Sequence, residues 1–463
     1  MCYETLNRVM PLDKSVRIEE GNVVVSPTEA EAEPPSVTKL KNAITERLPR
    51  IHLTDLMIEV DRWVGFRNKF NHAGGQDNNA DDLPVYIHAA ILAQATNLGL
   101  HRMATVADLS YQRLVWCTNW YLRDQTLDKA AGKIINYHHD HWLTRFWGDG
   151  SFSSSDGQRF PVAIKTNTAR ALPKYFGYGR GLTHYSWTSD QFSQYGTKVI
   201  PATVREALYA LDAILDNETD LPIERHTTDT AGYTEIIFAL FDLLGLRFEP
   251  RIKDLGDQRI YTVSDLSGLK HLLNLEVHRI NLELIERHWE DMVRVAASLK
   301  MGWVTASLLI GKYQSAQRQS ELVRAFQEYG RLIKSISILR YVTNEAHRRE
   351  IGIQLNKGEA MNNLRQFILF AREGKIYKRT LEDQQHQAKC MNLVTNAIVL
   401  WNTIYMGKVI EQLESEGWDI VAEDLQHISP ARFEHINPYG RFRFDMKDKL
   451  KGQLRPLRNP KGI

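Results

Sequence analysis

Three acidic residues in unlike surroundings are the first candidates for chemistry: Asp156, Asp229 and Glu359. Asp229 lies in RHTTDTAGYTE (225–235), where a β-branched run, 223–228, leads into it. Gly232 then breaks the strand, Thr234 caps an apolar helix at 236–244, and Gly245 stops that helix. An alternating run at 247–252 completes a strand–helix–strand unit, and in open α/β sheets ligands gather at the carboxyl ends of strands. The plainer reading of Asp229 is an aspartate that begins a capping turn. Asp156 follows a glycine- and serine-rich stretch (GDGSFSSSDG, 148–157) and opens a strand, whereas Glu359 sits on a helix begun by LNKG. Converging carboxylates repel unless a positive charge sits among them. Their hard oxygens suit Mg²⁺ or Mn²⁺. Two such ions about 4 Å apart activate an attacking oxygen and stabilise a leaving one in phosphoryl displacement. Asp149, flanked by glycines, competes for the first place. Glu345 and Glu350 compete for the third, in a charged stretch (NEAHRREIG) that reads as an exposed helix end.

Other chemistry-bearing residues carry weaker signals. His138-His139-Asp140-His141 does not place two histidines on one helix face in the HExxH manner, and no cysteine assists, so a polar linker is expected. GYGRG (177–181) has the glycines of a phosphate loop but no following helix, which predicts a turn. His226, two residues before Thr228 on its strand, is a candidate phosphate contact. The run Lys174-Tyr175-Phe176-Gly177-Tyr178-Gly179-Arg180 combines cations with aromatic rings, a composition that stacks bases and holds phosphates but that also suits an ordinary exposed hairpin. Lys165, Lys357, Arg441, Arg443 and Lys447 complete the candidate phosphate contacts.

The elements that must position these residues follow from periodicity. Residues 1–35 read as irregular, with one short strand at 23–25 and an acidic, proline-ended linker. From 36 to 145 the pattern is helical: Thr54 caps one helix, 83–98 forms another that Gly99 ends, and Ser110 opens a third. A core at 146–265 has strands at 158–164, 182–189 and 196–200, a helix at 203–215, and then the Asp229 unit. Residues 266–350 are predicted to be all-helical and free of strands, with 301–310 a buried helix because it is apolar nearly all round. Residues 351–430 carry the Glu359 helix and a second buried one at 392–409, and 431–463 is a basic tail, solvated or touching a polyanion. The expected class is α/β with large all-α parts. Strand, strand, strand, helix, strand, helix, strand is the order of an RNase H-like mixed sheet, here preceded by a helical domain and interrupted by a helical insertion. In that fold the three acids converge on one sheet edge.

Bulk properties fit a globular protein of two or three domains: 463 residues, 43% hydrophobic and 25% charged. A net charge of +2 makes no global case for nucleic acid. Three dispersed cysteines imply a reducing compartment. No apolar run approaches the length of a membrane span, so no membrane role is expected.

Several strings together carry a family resemblance. WGDGSFSSSDGQRF, TKVIPATVREALYALDAIL, TDTAGYTE, RFEPRIKDL, LNKGEA and IVLWNTIY resemble the C-terminal half of a Tn-three family transposase, a replicative class II enzyme of bacteria. LPRIHLTDLMIEVDRWVGF and ISPARFEHIN extend the likeness, in unbroken order, to residues 48–443. The resemblance implies an RNase H-like core with a DDE triad that falls on Asp156, Asp229 and Glu359, with Asp149 an alternative to Asp156. It implies a Mg²⁺ or Mn²⁺ cofactor, two ions, that serves to nick transposon 3′ ends and join them to target DNA. It also implies transposon-end and target DNA as partners, a homodimer or association with full-length transposase, and a cytoplasmic, nucleoid-associated location. Full members are about twice as long and read the inverted repeats with their N-terminal half. This chain is therefore expected to be truncated and to bind DNA weakly, with strong salt dependence and little sequence preference. The alternative is a non-catalytic remnant that binds DNA or full-length enzyme and interferes with it.

Overall fold

The computed structural model describes residues 2–27, 32–75, 80–204, 206–229, 234–315, 320–447 and 450–460. The expected strand break at Gly232, and Lys449 and Lys461 of the tail, fall outside the described residues. A mixed sheet lies at the centre. Its strands are β1 (Phe152–Val162), β2 (Arg180–Ser189), β3 (Gln194–Pro201), β4 (Arg225–Thr228) and β5 (Arg247–Phe248), in the spatial order β3-β2-β1-β4-β5. The first three are antiparallel neighbours, while β4 and β5 run parallel to β1. A two-residue strand, Arg170–Ala171, pairs with the start of β2.

β1 begins six residues earlier than its alternation predicts, because Ser153, Ser154 and Ser155 form a buried strand of hydroxyls. Such a strand is stable only when each hydroxyl finds a partner. Ser153 and Ser155 Oγ hydrogen-bond the two ring nitrogens of His226, each at 2.8 Å, and Gln354 Nε2 donates to Ser154 Oγ at 3.1 Å. Asp156 therefore lies mid-strand rather than at a strand start.

Helices cover both sides. α1 (Glu235–Leu243) lies between β4 and β5, α2 (Glu345–Ile368) crosses β1, and α3 (Leu381–Ser415) runs through the largest core cluster. At 1.5 Å per residue α3 is about 52 Å long. By length and apolar composition α3 could cross a membrane, yet 89% of its apolar window is buried inside the protein. It packs against the helices Leu83–Ala95 and Asp124–His139 of the N-terminal part and against β3, so one hydrophobic cluster joins the helical region to the sheet. Among those helices, Ser110 accepts the Arg113 N–H as its expected cap, but His52, not Thr54, caps Leu53–Val64.

Six stretches depart from expectation. Residues 1–35 are not irregular: Cys2–Val9 is a helix, and Val16–Glu19 pairs antiparallel with Asn22–Val25. The Glu359 helix begins at Glu345, capped by Asn344, and not at LNKG. The helix at 203–215 is broken into Glu206–Tyr209 and Asp212–Leu215, where Asp212 accepts hydrogen bonds from Lys198 and from both N–H and hydroxyl of Ser307. Residues 266–350 are not strand-free: Val277–Arg279 pairs in parallel with Ile260–Thr262. The apolar run 301–310 is a turn plus a half-buried helix, Ala306–Ser315; Gly302, at φ +71°, ends Trp289–Lys300 and leaves Met301 and Trp303 exposed. The basic tail is docked rather than free. Ile436–Asn437 pairs with Ile51–His52, Phe442 is buried, and the Arg455 guanidinium bonds the buried Glu59 carboxylate.

Candidate functional site

The parallel register of β1 and β4 ends at Ser155 opposite Thr228. Asp156 and Asp229 are the next residues along the two chains, just past the parallel pairing of strands spaced about 4.8 Å apart; β4 ends there while β1 continues to Val162. Asp156 is half-buried; its Oδ2 accepts from Asn362 Nδ2 at 2.7 Å and its Oδ1 from the Gly157 N–H at 2.8 Å. Asp229 is exposed and pairs with Lys253 Nζ at 3.2 Å.

α2 aligns on β1 through one face, residues 354, 358, 362 and 365, spaced at helical intervals. Gln354 donates to Ser154 Oγ and to the Thr188 carbonyl, Gly358 lies over Ser154, and Asn362 holds Asp156. Arg365 is fully buried, donates to Ser186 Oγ at 2.6 Å and meets His184 Nδ1 at 3.3 Å; Ser186 is the residue directly across from Asp156 in the sheet. Burial pulls the Arg365 guanidinium down to about 9, and the Asp156 carboxylate opposes that shift. Glu359, one turn before Asn362, is exposed and makes no hydrogen bond or ion pair among the described residues.

Asp156 and Asp229 thus stand just past the parallel pairing of adjacent strands, and Glu359 rides on the helix that grips the first of them. The expectation of three carboxylates within metal-bridging reach is not met in this arrangement: no group of three His, Cys, Asp or Glu side chains among the described residues could hold an ion. Asp156 is turned to Asn362, Asp229 to Lys253, and Glu359 to solvent. Asp149 lies elsewhere, before β1, roughly 20 Å upstream along an extended chain, with its carboxylate bound to the Ser151 N–H and hydroxyl. Glu350 is tied in two 2.7 Å bonds to Arg225, and these, with His347, hold its carboxyl down to about 2. Glu345 pairs with Arg349 at 2.7 Å.

A fourth acid stands at the site unforeseen. Glu206 packs on the backbone of Gly157, where any Cβ would overlap its carboxylate, and pairs with Arg159 at 3.0 Å. Burial raises its carboxyl to about 7, Arg159 opposes the rise, and the charges of Asp156 and Asp229 add to it. Its only sequence sign was an acid in a stretch that reads as an amphipathic helix; Gly157 opposite it was the silent half of the pair.

Two candidate phosphate contacts are corrected. His226 is buried between Ser153 and Ser155, and burial lowers its imidazole to about 3, so it is a neutral structural group. Lys357 points inward, donating to the carbonyls of Trp147 and Asp190 at 2.8 and 2.7 Å; burial lowers its ammonium to about 8. Lys165, Lys174, Arg180, Arg441, Arg443 and Lys447 are exposed. The histidine run is held by protein partners: His138 bridges Ser193 and Thr403, and His139 meets Gln191.

An acidic pair stands on adjacent strands, one of the pair gripped by a helix that carries a third acid, and comparison with known proteins gives the family. The family described as "Tn3 transposase DDE domain" matches residues 55–442. Similar proteins include the transposase for transposon Tn1546 of Enterococcus faecium, 39% identical over 96% of this chain and 45% of that protein. The transposase for transposon Tn501 of Pseudomonas aeruginosa is 39% identical over 95% of this chain and 44% of its own length. The transposase for transposon gamma-delta of Escherichia coli (strain K12) is 37% identical over 94% and 44%. The chain belongs to the Tn3 transposase DDE-domain family, and it spans less than half the length of these curated relatives.

Proposed function

We propose that this chain is the metal-dependent catalytic region of a replicative DNA transposase, cleaving transposon 3′ ends and transferring the strands to target DNA. The observation that supports the reading is the placement of Asp156 and Asp229 each one residue past the parallel pairing of β1 with β4. The strand order β3-β2-β1-β4-β5, with β2 antiparallel to β1, supports an RNase H-like core.

The donor set fits Mg²⁺ or Mn²⁺ in chemistry: Asp156, Asp229 and Glu359 offer hard carboxylate oxygens, and each aspartate is presently matched by a protein group, Asn362 or Lys253. Bound there, a divalent ion, or a pair of them, would supply charge stabilisation and an activated oxygen. The chain's own residues do the rest. Asn362 orients Asp156 from α2, the same helix that presents Glu359, so one rigid element sets two of the three acids relative to each other. Lys253 balances the charge of Asp229. Exposed Lys165, Lys174 and Arg180 lie on the β1–β2 side and Arg441, Arg443 and Lys447 in the docked tail, where they would meet phosphates of transposon-end and target DNA.

A second reading, a non-catalytic chain that binds DNA or a longer transposase and interferes with it, is favoured by the lack, among the described residues, of any three acids placed to hold an ion. Association as a homodimer or with full-length transposase, and a nucleoid location, belong with either reading. Incubating the chain with Mn²⁺, a pre-cut transposon end and a target duplex separates them. Joined product that disappears in Asp156→Asn supports the catalytic reading, and DNA binding without any joining supports the other.

A further inference from the structure

Between β1 and β2 the chain leaves the sheet at residues 163–179 and returns through Arg170–Ala171 and a one-turn helix, Pro173–Phe176. Gly177, at φ +54°, makes the turn that follows. At its tip Tyr178 is fully exposed and Tyr175 half-exposed, with Lys174 and Arg180 exposed beside them. Exposed aromatic rings this close to cations are a poor arrangement for a solvated loop and a good one for stacked bases, each of which brings a phosphate with it.

The tip is also wired to the acidic site. The Arg159 guanidinium sits 4.5 Å over the Tyr175 ring and pairs with Glu206, which lies on Gly157 beside Asp156. Arg159 is three residues beyond Asp156 on the same strand, about 10 Å along it and on the opposite face, the one that Glu206 covers. That distance is roughly three nucleotides at the 3.4 Å per-strand spacing of a duplex. A base with its partner strand in place presents only edges in a groove; a ring can stack only on a base that has left the helix.

We propose that Tyr175 and Tyr178 form a stacking platform for unpaired DNA bases a few nucleotides from the scissile phosphate, with Lys174 and Arg180 holding the flanking phosphates. The proposal rests on the catalytic reading for the words "scissile phosphate" and on the hairpin alone for the preference for unpaired bases.

Fluorescence anisotropy tests it with a labelled twelve-nucleotide single strand and the matching duplex, for the full chain and for Tyr175→Ala/Tyr178→Ala and Tyr175→Phe/Tyr178→Phe. Stacking predicts that the alanine pair weakens single-strand binding about tenfold or more while duplex binding shifts by less than about twofold, and that phenylalanine restores the single-strand affinity. Both rings are exposed, so the thermal midpoint should not move. Equal losses for single strand and duplex, no loss, or no rescue by phenylalanine overturns the platform. Failure of the unaltered chain to join a pre-cut end with Mn²⁺ counts against the catalytic reading and leaves these binding outcomes to judge the platform separately.

Discussion

At each end of the segment 148–157, which leads into the first half of β1, a glycine makes room for a carboxyl group that lies against the backbone: Gly148 for Asp190 and Gly157 for Glu206. At the first end the acid is enclosed. Asp190 accepts the Gly150 N–H at 3.0 Å and the Phe152 N–H at 3.4 Å, and the Lys357 ammonium stands beside it. Burial still raises the Asp190 carboxyl to about 6, with Lys357 pulling it back. At the second end the acids are more open to solvent. The charges of Asp156 and Asp229 act on Glu206, and Arg159, Lys253 and the buried Arg365 are the cations set against these three carboxyls, of which Asp229 is exposed. The same packing device is a closed joint in one place and an open one in the other. An incoming cation can reach only carboxylates that solvent can reach, so the open end is the candidate for chemistry.

The sharpest way to break this comparison is to remove one carboxylate from each end. Asp229→Asn should cut Mn²⁺-dependent joining on the order of a hundred- to a thousandfold and leave the thermal midpoint nearly unchanged, since Asp229 is exposed. Asp190→Asn should do the reverse. It strands one backbone N–H and costs about 1–3 kcal/mol of stability, with joining per folded molecule intact. Urea denaturation and a joining assay on both variants check the pair; joining lost in Asp190→Asn at full stability would erase the distinction between the ends.

Next in size is the pH dependence of Glu206. Its carboxyl rises from the ordinary 4.5 to about 7 in the folded protein. Between those values the folded state binds more protons than the unfolded one, so stability falls as pH rises and levels off above about 7. The loss amounts to about 3 kcal/mol at most, from 1.36 kcal/mol per pKa unit. Glu206→Gln removes it. Urea midpoints at pH 5 and pH 8 should converge in the variant relative to the unaltered protein, and a parallel decline in both would place the titrating group elsewhere.

A smaller effect separates the inward lysine from the outward ones. Lys357→Met leaves two buried carbonyls short of a donor and should cost about 1–3 kcal/mol, yet leave the salt dependence of duplex binding alone. Lys174→Ala should keep stability and reduce the salt slope by about 1. Anisotropy titrations at two salt concentrations decide between them.

The sequence disclosed the elements whose burial is one-sided. Ser110 and its helix follow from a cap and periodicity, and α1 with Gly245 behind it and the apolar stretch inside α3 follow from periodicity, although Thr234 at the N-cap of α1 makes no capping hydrogen bond. It concealed those whose stability depends on distant partners. Ser153–Ser155 looks like a loop until His226 and Gln354 supply the hydrogen bonds that let hydroxyls enter a strand. The helix pattern at 203–215 yields to Asp212, whose partners Lys198 and Ser307 come from either side in sequence. The run 301–310 is apolar enough for a buried helix, but Gly302 turns the chain and leaves Trp303 outside. At the site the aspartates were visible because each sits in its own motif. Glu206 was not, because its role depends on the missing Cβ of Gly157, and an absence on one strand has no signature on another.

The least effect, and the most telling about how the third acid is set, belongs to Gly358. Mid-helix glycine costs about 1 kcal/mol relative to alanine, and a Cβ at Gly358 would meet Ser154 Oγ at 3.6 Å, ordinary contact distance. Gly358→Ala should therefore raise stability by about 0.5–1 kcal/mol, unlike Gly330→Ala, where the added carbon would overlap the Glu235 carbonyl. Ser154 lies two residues before Asp156 on the same face of β1, and Gly358 precedes Glu359, so this contact sets the separation between two of the candidate acids. Stability gained with joining held within about twofold means that α2 accepts the added methyl and is a scaffold. Stability gained with joining lost tenfold or more means that the fit of α2 on β1 is itself a condition of the chemistry, because Asn362, which holds Asp156, and Glu359 both ride on that helix.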